Sequence, residues 1–362
     1  MIPRPLLCLL ALTAVTGAAQ ADPALSRPSP PRYDHVFVII EENKDYDQIL
    51  SPIAAPHIAA LAHTYGQATQ FFGEVHPSEA NYLALLGGDT FGIHDDDAYY
   101  CKPGQVDRLC GGALAPGYVD HTIHSPHLGD QLAAVGLTWK GYYEDIPAPG
   151  SLIANSSDPL HNDGTPSTAL YASKHSGFIN FASVQDDPDR AKHLVGFDQW
   201  AADLASGDLP SFALIVPNQC NEMHGLHVTW VPADCDWANT AALIRRGDAE
   251  IGRLVGQIQA TAAWRSSQNV AIVITFDEGS GGSKGGCCGV TPGALSNFGG
   301  GHIPTLVITN HGPRGAQDPT PYNHYSLLLT LEQVFGITTP LRRAALADQG
   351  VVPMTPLFAV AP

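Results

Sequence analysis

"HVFVIIEENKDYD", residues 35–47, decides the fold. A near-continuous apolar, β-branched run reaches Ile40 and then gives way to Glu41, Glu42 and Asn43. A strand with one wet face alternates apolar and polar residues. One without alternation is buried on both faces, as in a parallel sheet covered by helices. Three further segments have the same character: "SFALIVP" (211–217), "NVAIVITF" (269–276) and "IPTLVITN" (303–310). Helical patterns at 56–66, 79–88, 239–264 and 324–336 fall among them. The alternation predicts an α/β fold with a mainly parallel sheet sandwiched by helices. The stretch from about 95 to 200, rich in Gly, Pro, Asp and aromatics, predicts a long irregular insertion over one end of the sheet, placed to cover a site.

Residues 1–21 hold one cation, Arg4, then "LLCLLALTAV" and "AAQA", the pattern of a secretory signal. The run is short for a membrane span, no second apolar run of about 18 residues follows, and Cys8 lacks a lipoprotein setting. These features predict an exported chain, periplasmic or extracellular, starting near Asp22 with no stable membrane anchor.

The formal charge is −17 over 362 residues, and removal of the signal takes away Arg4 and no acid, leaving −18. Such a chain repels polyanions, so nucleic acid is not an expected partner, although a small anionic group can still bind at a metal. Six cysteines remain after Cys8 leaves, and local spacing pairs Cys101 with Cys110 and Cys220 with Cys235. Cys287 and Cys288 are expected to pair elsewhere or to bind a ligand, because a bond between neighbours is strained. A sequon stands at Asn155.

Ligands of open parallel sheets bind at the carboxyl ends of strands. Two of the expected strands end there in acids, Glu41–Glu42–Asn43 and Asp277–Glu278. Gathered like charges repel unless a cation lies between them. Carboxylate and amide oxygens suit Ca²⁺, Mg²⁺ or Mn²⁺, and added imidazole admits zinc or iron. In "HPSEANYLALLGG" (76–88), Ser78 is either a helix N-cap or a hydroxyl nucleophile beside a phosphate site at a helix N-terminus. "PNQCNEMHG" (217–225) sets Asn218, Asn221 and His224 after another strand, and His302 and His324 flank the same edge. Imidazoles there can bind phosphoryl oxygens or protonate a leaving group.

With "EEN", "HPSEANYLALLGG", "PNQCNEMHG", "TFDEGSGG" and "YNHYSLLLTLEQVFG" in that order, the chain resembles the phosphoesterase family of acid phosphatases and phosphatidylcholine-type phospholipases C, within the alkaline-phosphatase-like superfamily. The resemblance implies one or more divalent metal ions held by Glu42, Asn43, Asp277 and Glu278, with Ser78 both ligand and nucleophile through a phosphoserine. Glu42 is taken ahead of Glu41 because the family pairs Glu directly with Asn. His224 and His324 are placed on the phosphoryl group or leaving oxygen, and Asn81 orients Ser78 or bonds phosphate. Asn218, Asn221 and His302 complete the expected substrate contacts. The implied unit is a single catalytic domain over residues 22–362 acting on small phosphorylated substrates. Monoesters come first, because the chain stops soon after "VPMTPLFAVAP" without the C-terminal β domains of the phospholipases. The alternatives are a phospholipase C or phosphodiesterase using the same site, and a metal-stabilised periplasmic binding protein in which Ser78 is only a cap.

Overall fold

The apolar segments become strands because they can fill the space between two helical layers without exposing a polar face. The computed structural model describes residues 28–51, 53–96, 120–152, 170–289 and 298–360. The strands are β1 (His35–Glu41), β2 (Gly66–Phe72), β3 (Trp139–Tyr143), β4 (Leu194–Val195), β5 (Phe212–Val216), β6 (Val270–Phe276), β7 (His302–Thr309), β8 (Gln317–Asp318) and β9 (Tyr322–Asn323). They form one sheet in the order β4-β3-β5-β1-β6-β7-β2-β8, with β9 beside β2. β1 is parallel to both neighbours, β5 and β6, and every residue of β5 and β6 is buried.

All four expected strands form, but β7 runs antiparallel to β6 and to β2. A mixed sheet of this kind is common when most strands are parallel. The reversal has a consequence for the site: the first residue of β7, His302, lies at the edge where β6 ends. β2, "GQATQFF", carries Gln67, Thr69 and Gln70 and gave no apolar run to read. Within the stretch read as an irregular insertion, β3 and β4 extend the sheet in parallel beyond β5. Residues 97–119 and 153–169 of that stretch lie outside the described residues, as do the signal at 1–21, the Cys101/Cys110 pair and Asn155.

The helix Thr240–Gln259 buries Leu243, Ile244, Ile251, Leu254, Val255 and Ile258, one stripe at helical spacing. The helices Glu79–Gly87 and His324–Val334 pack on each other and are buried almost all round. Cys220 and Cys235 are bonded as expected. Cys287 and Cys288 are bonded to each other, which corrects the expectation that they pair elsewhere; Cys288 takes a positive φ of 47° at this turn.

The sheet therefore delivers five chain segments to one edge: Glu144 and Asp145 after β3, Asn218 after β5, Glu42 and Asn43 after β1, Asp277 and Glu278 after β6, and Gly73–Ser78 after β2.

Candidate active site

Ser78 precedes the helix Glu79–Gly87 in helical conformation (φ −55°, ψ −51°), and its side chain caps nothing. A capping serine takes an extended backbone and accepts an N–H of the first turn. Ser78 instead points its hydroxyl at the ends of β1 and β6. Oγ lies 3.0 Å from Glu42 Oε2, 3.4 Å from Asn43 Oδ1 and 3.5 Å from Glu278 Oε1. Asp277 Oδ1 accepts the Asn43 N–H at 3.3 Å. Glu42, Asn43, Ser78, Asp277 and Glu278 are thus brought together, and all but the half-buried Asn43 are buried.

The donor chemistry of this group fits a hard cation. A hydroxyl has one proton, so Ser78 can satisfy only one of the three acceptors around it. The Asn43 amide turns its oxygen toward Glu42 Oε2 and Asp277 Oδ1; turned over, its nitrogen would bond them at 2.8 and 3.1 Å. Carboxylate, amide and hydroxyl oxygens gathered in this way are the donors a hard cation takes, and among the described residues Asp277 Oδ2 has no hydrogen-bond partner. Burial, reinforced by Asp277 and Glu222, pushes Glu42 well above the usual carboxylate range. Burial likewise raises Asp277 to about 6 and Glu278 to about 8. Positive charge favours these carboxylates in their ionised form, and a divalent ion bound by their oxygens would supply it.

Around this group lie residues that the sequence reading did not single out. Tyr82 donates its hydroxyl to Glu42 Oε1. His76 Nδ1 is 2.6 Å from Glu278 Oε2, and that contact lifts the ring to about 9. His175, fully enclosed, has Nε2 3.4 Å from Glu42 Oε1 and Nδ1 2.8 Å from Glu222 Oε1. Lys174 Nζ pairs with Asp96 Oδ2 at 2.8 Å, and Asp96 Oδ1 accepts the Glu79 N–H at 3.2 Å. Glu222 stood in the quoted "PNQCNEMHG" and His76 and Tyr82 in "HPSEANYLALLGG". His175 sits in "YASKHSGF", where no strand or spacing drew notice.

His224 joins them. Its Nδ1 donates to Gly225 O at 2.8 Å, which leaves Nε2 as the lone-pair nitrogen. One ligand atom each from Glu42, His175 and His224 lies within 4.8 Å of the others, so Glu42 belongs to an oxygen cluster on one side and an imidazole pair on the other. Burial, with Lys174 second, depresses His224 to about 3.

The remaining expected residues are placed differently. Asn81 accepts the N–H groups of Glu74 and Val75 at 3.0 and 3.2 Å and donates to Val75 O, clamping the segment that leads to Ser78. Asn218 donates to Asp145 Oδ2, and Asn221 donates to Glu144 while accepting from Arg246. Both amides hold the loop that carries Glu222 and His224, in place of the substrate contact expected of them. His302 Nε2 meets Thr69 O at 3.0 Å and its ring stacks on Tyr46, so its contacts lie outside the cluster. His324 is fully buried with both ring nitrogens engaged, by Glu74 and by Phe276 O, which removes it from contact with a leaving group.

A serine hydroxyl thus stands among carboxylates at the carboxyl edge of a mixed, mainly parallel sheet. The chain belongs to the phosphoesterase family, whose model matches residues 50–338. It is 29% identical over 313 residues to the phosphatidylinositol-3-phosphatase of Mycobacterium tuberculosis, covering 86% of this chain and 80% of that one. It is 26% identical over 333 residues to an acid phosphatase of Aspergillus fumigatus, covering 91% of this chain but 61% of that relative's length. A solved protein of the alkaline phosphatase superfamily from Vibrio parahaemolyticus shares the fold, with a TM-score of 0.50 and 13% identity over 90% of this chain and 73% of that one. Hydrolysis of phosphoric esters is the reaction class of the family and of this chain.

Proposed function

We propose that the protein is an exported, metal-dependent phosphatase that hydrolyses phosphomonoesters through a phosphoserine at Ser78. One observation carries this reading: the Ser78 hydroxyl, free of any capping role, lies within 3.5 Å of Glu42, Asn43 and Glu278 oxygens. Glu42, Asn43, Ser78, Asp277 and Glu278 would hold the divalent ion. When bound, that ion neutralises phosphoryl charge and lowers the pKa of the serine hydroxyl.

The chain's own groups then divide the work. Ser78 Oγ loses its proton, for which Glu42 Oε2 at 3.0 Å is the nearest acceptor, and bonds phosphorus as the bond to the leaving oxygen breaks. The leaving oxygen takes up a proton. Water next attacks the phosphoserine, releasing inorganic phosphate and restoring Ser78. The proton that Glu42 takes from Ser78 is available to the leaving oxygen, and His175 and His224, held neutral by burial, face the site as imidazoles able to accept a proton from the attacking water. Positioning and charge stabilisation are the main requirements of phosphoryl transfer, and Ser78 beside an ion held by these residues would supply both.

Export agrees with the Cys220–Cys235 bond, which suits an oxidising compartment. Among the described residues no helix is long and apolar enough to cross a membrane. The name of the mycobacterial relative favours one substrate in particular, a monoester phosphate on an inositol lipid headgroup. The test compares the chain with Ser78→Ala on p-nitrophenyl phosphate and on phosphatidylinositol 3-phosphate, at matched folding and metal content. Loss of more than about a thousandfold in the variant on both substrates supports the reading. Retained hydrolysis excludes the serine.

A further inference from the structure

Glu74 lies in the segment joining β2 to Ser78 and is buried. Its carboxylate takes two bonds from one residue. The backbone N–H of His324 reaches Oε1 at 2.9 Å, and the ring Nδ1 reaches Oε2 at 2.5 Å. The other ring nitrogen, Nε2, donates to the carbonyl of Phe276 at 2.9 Å, directly before Asp277. With Nε2 donating to the carbonyl, Nδ1 and Glu74 Oε2 share one proton between them. Burial opposes a charge on the ring and Glu74 outweighs it, leaving the ring above its ordinary value.

Glu74 is itself fixed at both backbone groups. Asn81 Oδ1 accepts its N–H at 3.0 Å, and Gly299 donates to its carbonyl at 2.8 Å. A continuous line of hydrogen bonds therefore runs from the segment that presents Ser78, through the His324 ring, to the turn that presents Asp277 and Glu278. Gly73, next to Glu74, presses on that same turn: a Cβ there would stand 2.9 Å from Asp277 O and 3.2 Å from Glu278 Cα. The two segments touch, and the Glu74–His324 pair bridges them.

We propose that Glu74 is a positioning residue for phosphoryl transfer: acting through His324, it holds the Asp277–Glu278 turn at its working distance from Ser78. The inference rests on the function proposed above. Neither Glu74 nor His324 touches substrate, so the effect of losing the pair falls on metal affinity and kcat.

Mn²⁺ titration of the full chain, followed by calorimetry, and steady-state hydrolysis of p-nitrophenyl phosphate at saturating Mn²⁺ test this in Glu74→Ala and Glu74→Gln. Glu74→Ala is expected to bind Mn²⁺ about 10–100-fold more weakly and to lose kcat by a similar factor, with KM little changed. Glu74→Gln recovers most of both, because an amide can accept the backbone N–H and donate to a neutral His324 ring. A Glu74→Ala protein that is folded, with wild-type Mn²⁺ affinity and kcat, overturns the proposal; a purely stabilising role would lower only the melting temperature. If Glu74→Ala does not fold, Glu74→Asp, shorter by one methylene, takes its place, and wild-type values in it also overturn the proposal. A wild-type chain that neither binds Mn²⁺ nor hydrolyses the ester overturns the parent reading with it, whereas an active wild type with indifferent Glu74 variants overturns this inference alone.

Discussion

Ser78 Oγ and Glu42 Oε2 are 3.0 Å apart, one ahead of a helix and the other beyond the central strand. The contact exists because β1 and β2 end at the same edge of the sheet.

Removing the hydroxyl should abolish activity without harming the fold. Ser78→Ala loses no cap, since the side chain makes none, and it relieves a hydroxyl hemmed in by three acceptors. Thermal melting of the metal-free variant is expected within about 0.5 kcal/mol of wild type, or slightly above it. A large fall would restore the helix-cap role.

Stripping the metal should make stability depend on pH in a defined direction. Burial raises the Asp277 carboxyl from 3.8 to about 6 and the Glu278 carboxyl from 4.5 to about 8. The folded chain then binds more protons than the unfolded chain, so stability falls as pH rises from about 4 to about 8. In chelator the melting temperature is expected to drop across that window, and added divalent ion to flatten the slope. Asp277→Asn should raise metal-free stability at pH 7 while removing activity. A metal-free chain equally stable at pH 5 and pH 8 would contradict this.

A second titration, remote from the metal cluster, runs the opposite way. His127 accepts the Gly129 N–H through Nδ1 and is packed by Trp139, Phe178 and Phe181. Burial pushes its ring from 6.5 to about 4. The unfolded chain protonates first, so this group's contribution is intact above 6.5 and declines toward 4, by about 3 kcal/mol in all. His127→Asn keeps a capping acceptor and removes the titration. Urea midpoints at pH 7 and pH 5 should differ less in the variant than in wild type, and an equal difference would refute the assignment.

Breakdown of the phosphoserine should expose His224. Its lone-pair nitrogen faces the site and burial holds the ring low, at about 3, so it can accept a proton from the attacking water. His224→Ala is expected to slow p-nitrophenyl phosphate and an alkyl phosphate by a similar factor, about a hundredfold or more, with a burst of p-nitrophenol as the phosphoserine accumulates. A loss confined to the alkyl ester would assign His224 to the leaving group instead.

Crowding at Gly73 gives a geometric test. The Cβ of Gly73→Ala would meet Asp277 O at 2.9 Å, and backbone cannot swing aside. The substitution is expected to cost about 1–3 kcal/mol and to weaken metal binding. Unchanged metal affinity in the folded variant would mean the turn has slack.

The sequence made the sheet's centre legible because β1, β5 and β6 are buried on both faces and are apolar over nearly their whole length. It hid β2 and β3 for the converse reason: Gln67, Thr69 and Gln70 in one, and Lys140 and Gly141 in the other, break the pattern while hydrogen bonding to neighbours holds the strand. The oxygen cluster could be read because acids directly after buried strands have few structural uses. Asn81, Asn218, Asn221, His302 and His324 also stand at that edge, but residue type cannot tell a side chain facing substrate from one bonded to a neighbouring acid, as Asn218 and Asn221 are, or to a backbone carbonyl, as His302 and His324 are. His175 was missed from the other direction: its role depends on Glu42 and Glu222, distant in the chain, and no local spacing announces it.

The stereochemical course at phosphorus tests the central claim most directly. A phosphate monoester made chiral by oxygen isotopes is hydrolysed, and the configuration transferred to an acceptor alcohol is read by phosphorus NMR. Two successive displacements, through Ser78 and then by the acceptor, predict net retention. Net inversion would mean a single direct attack on the ester and would contradict the phosphoserine.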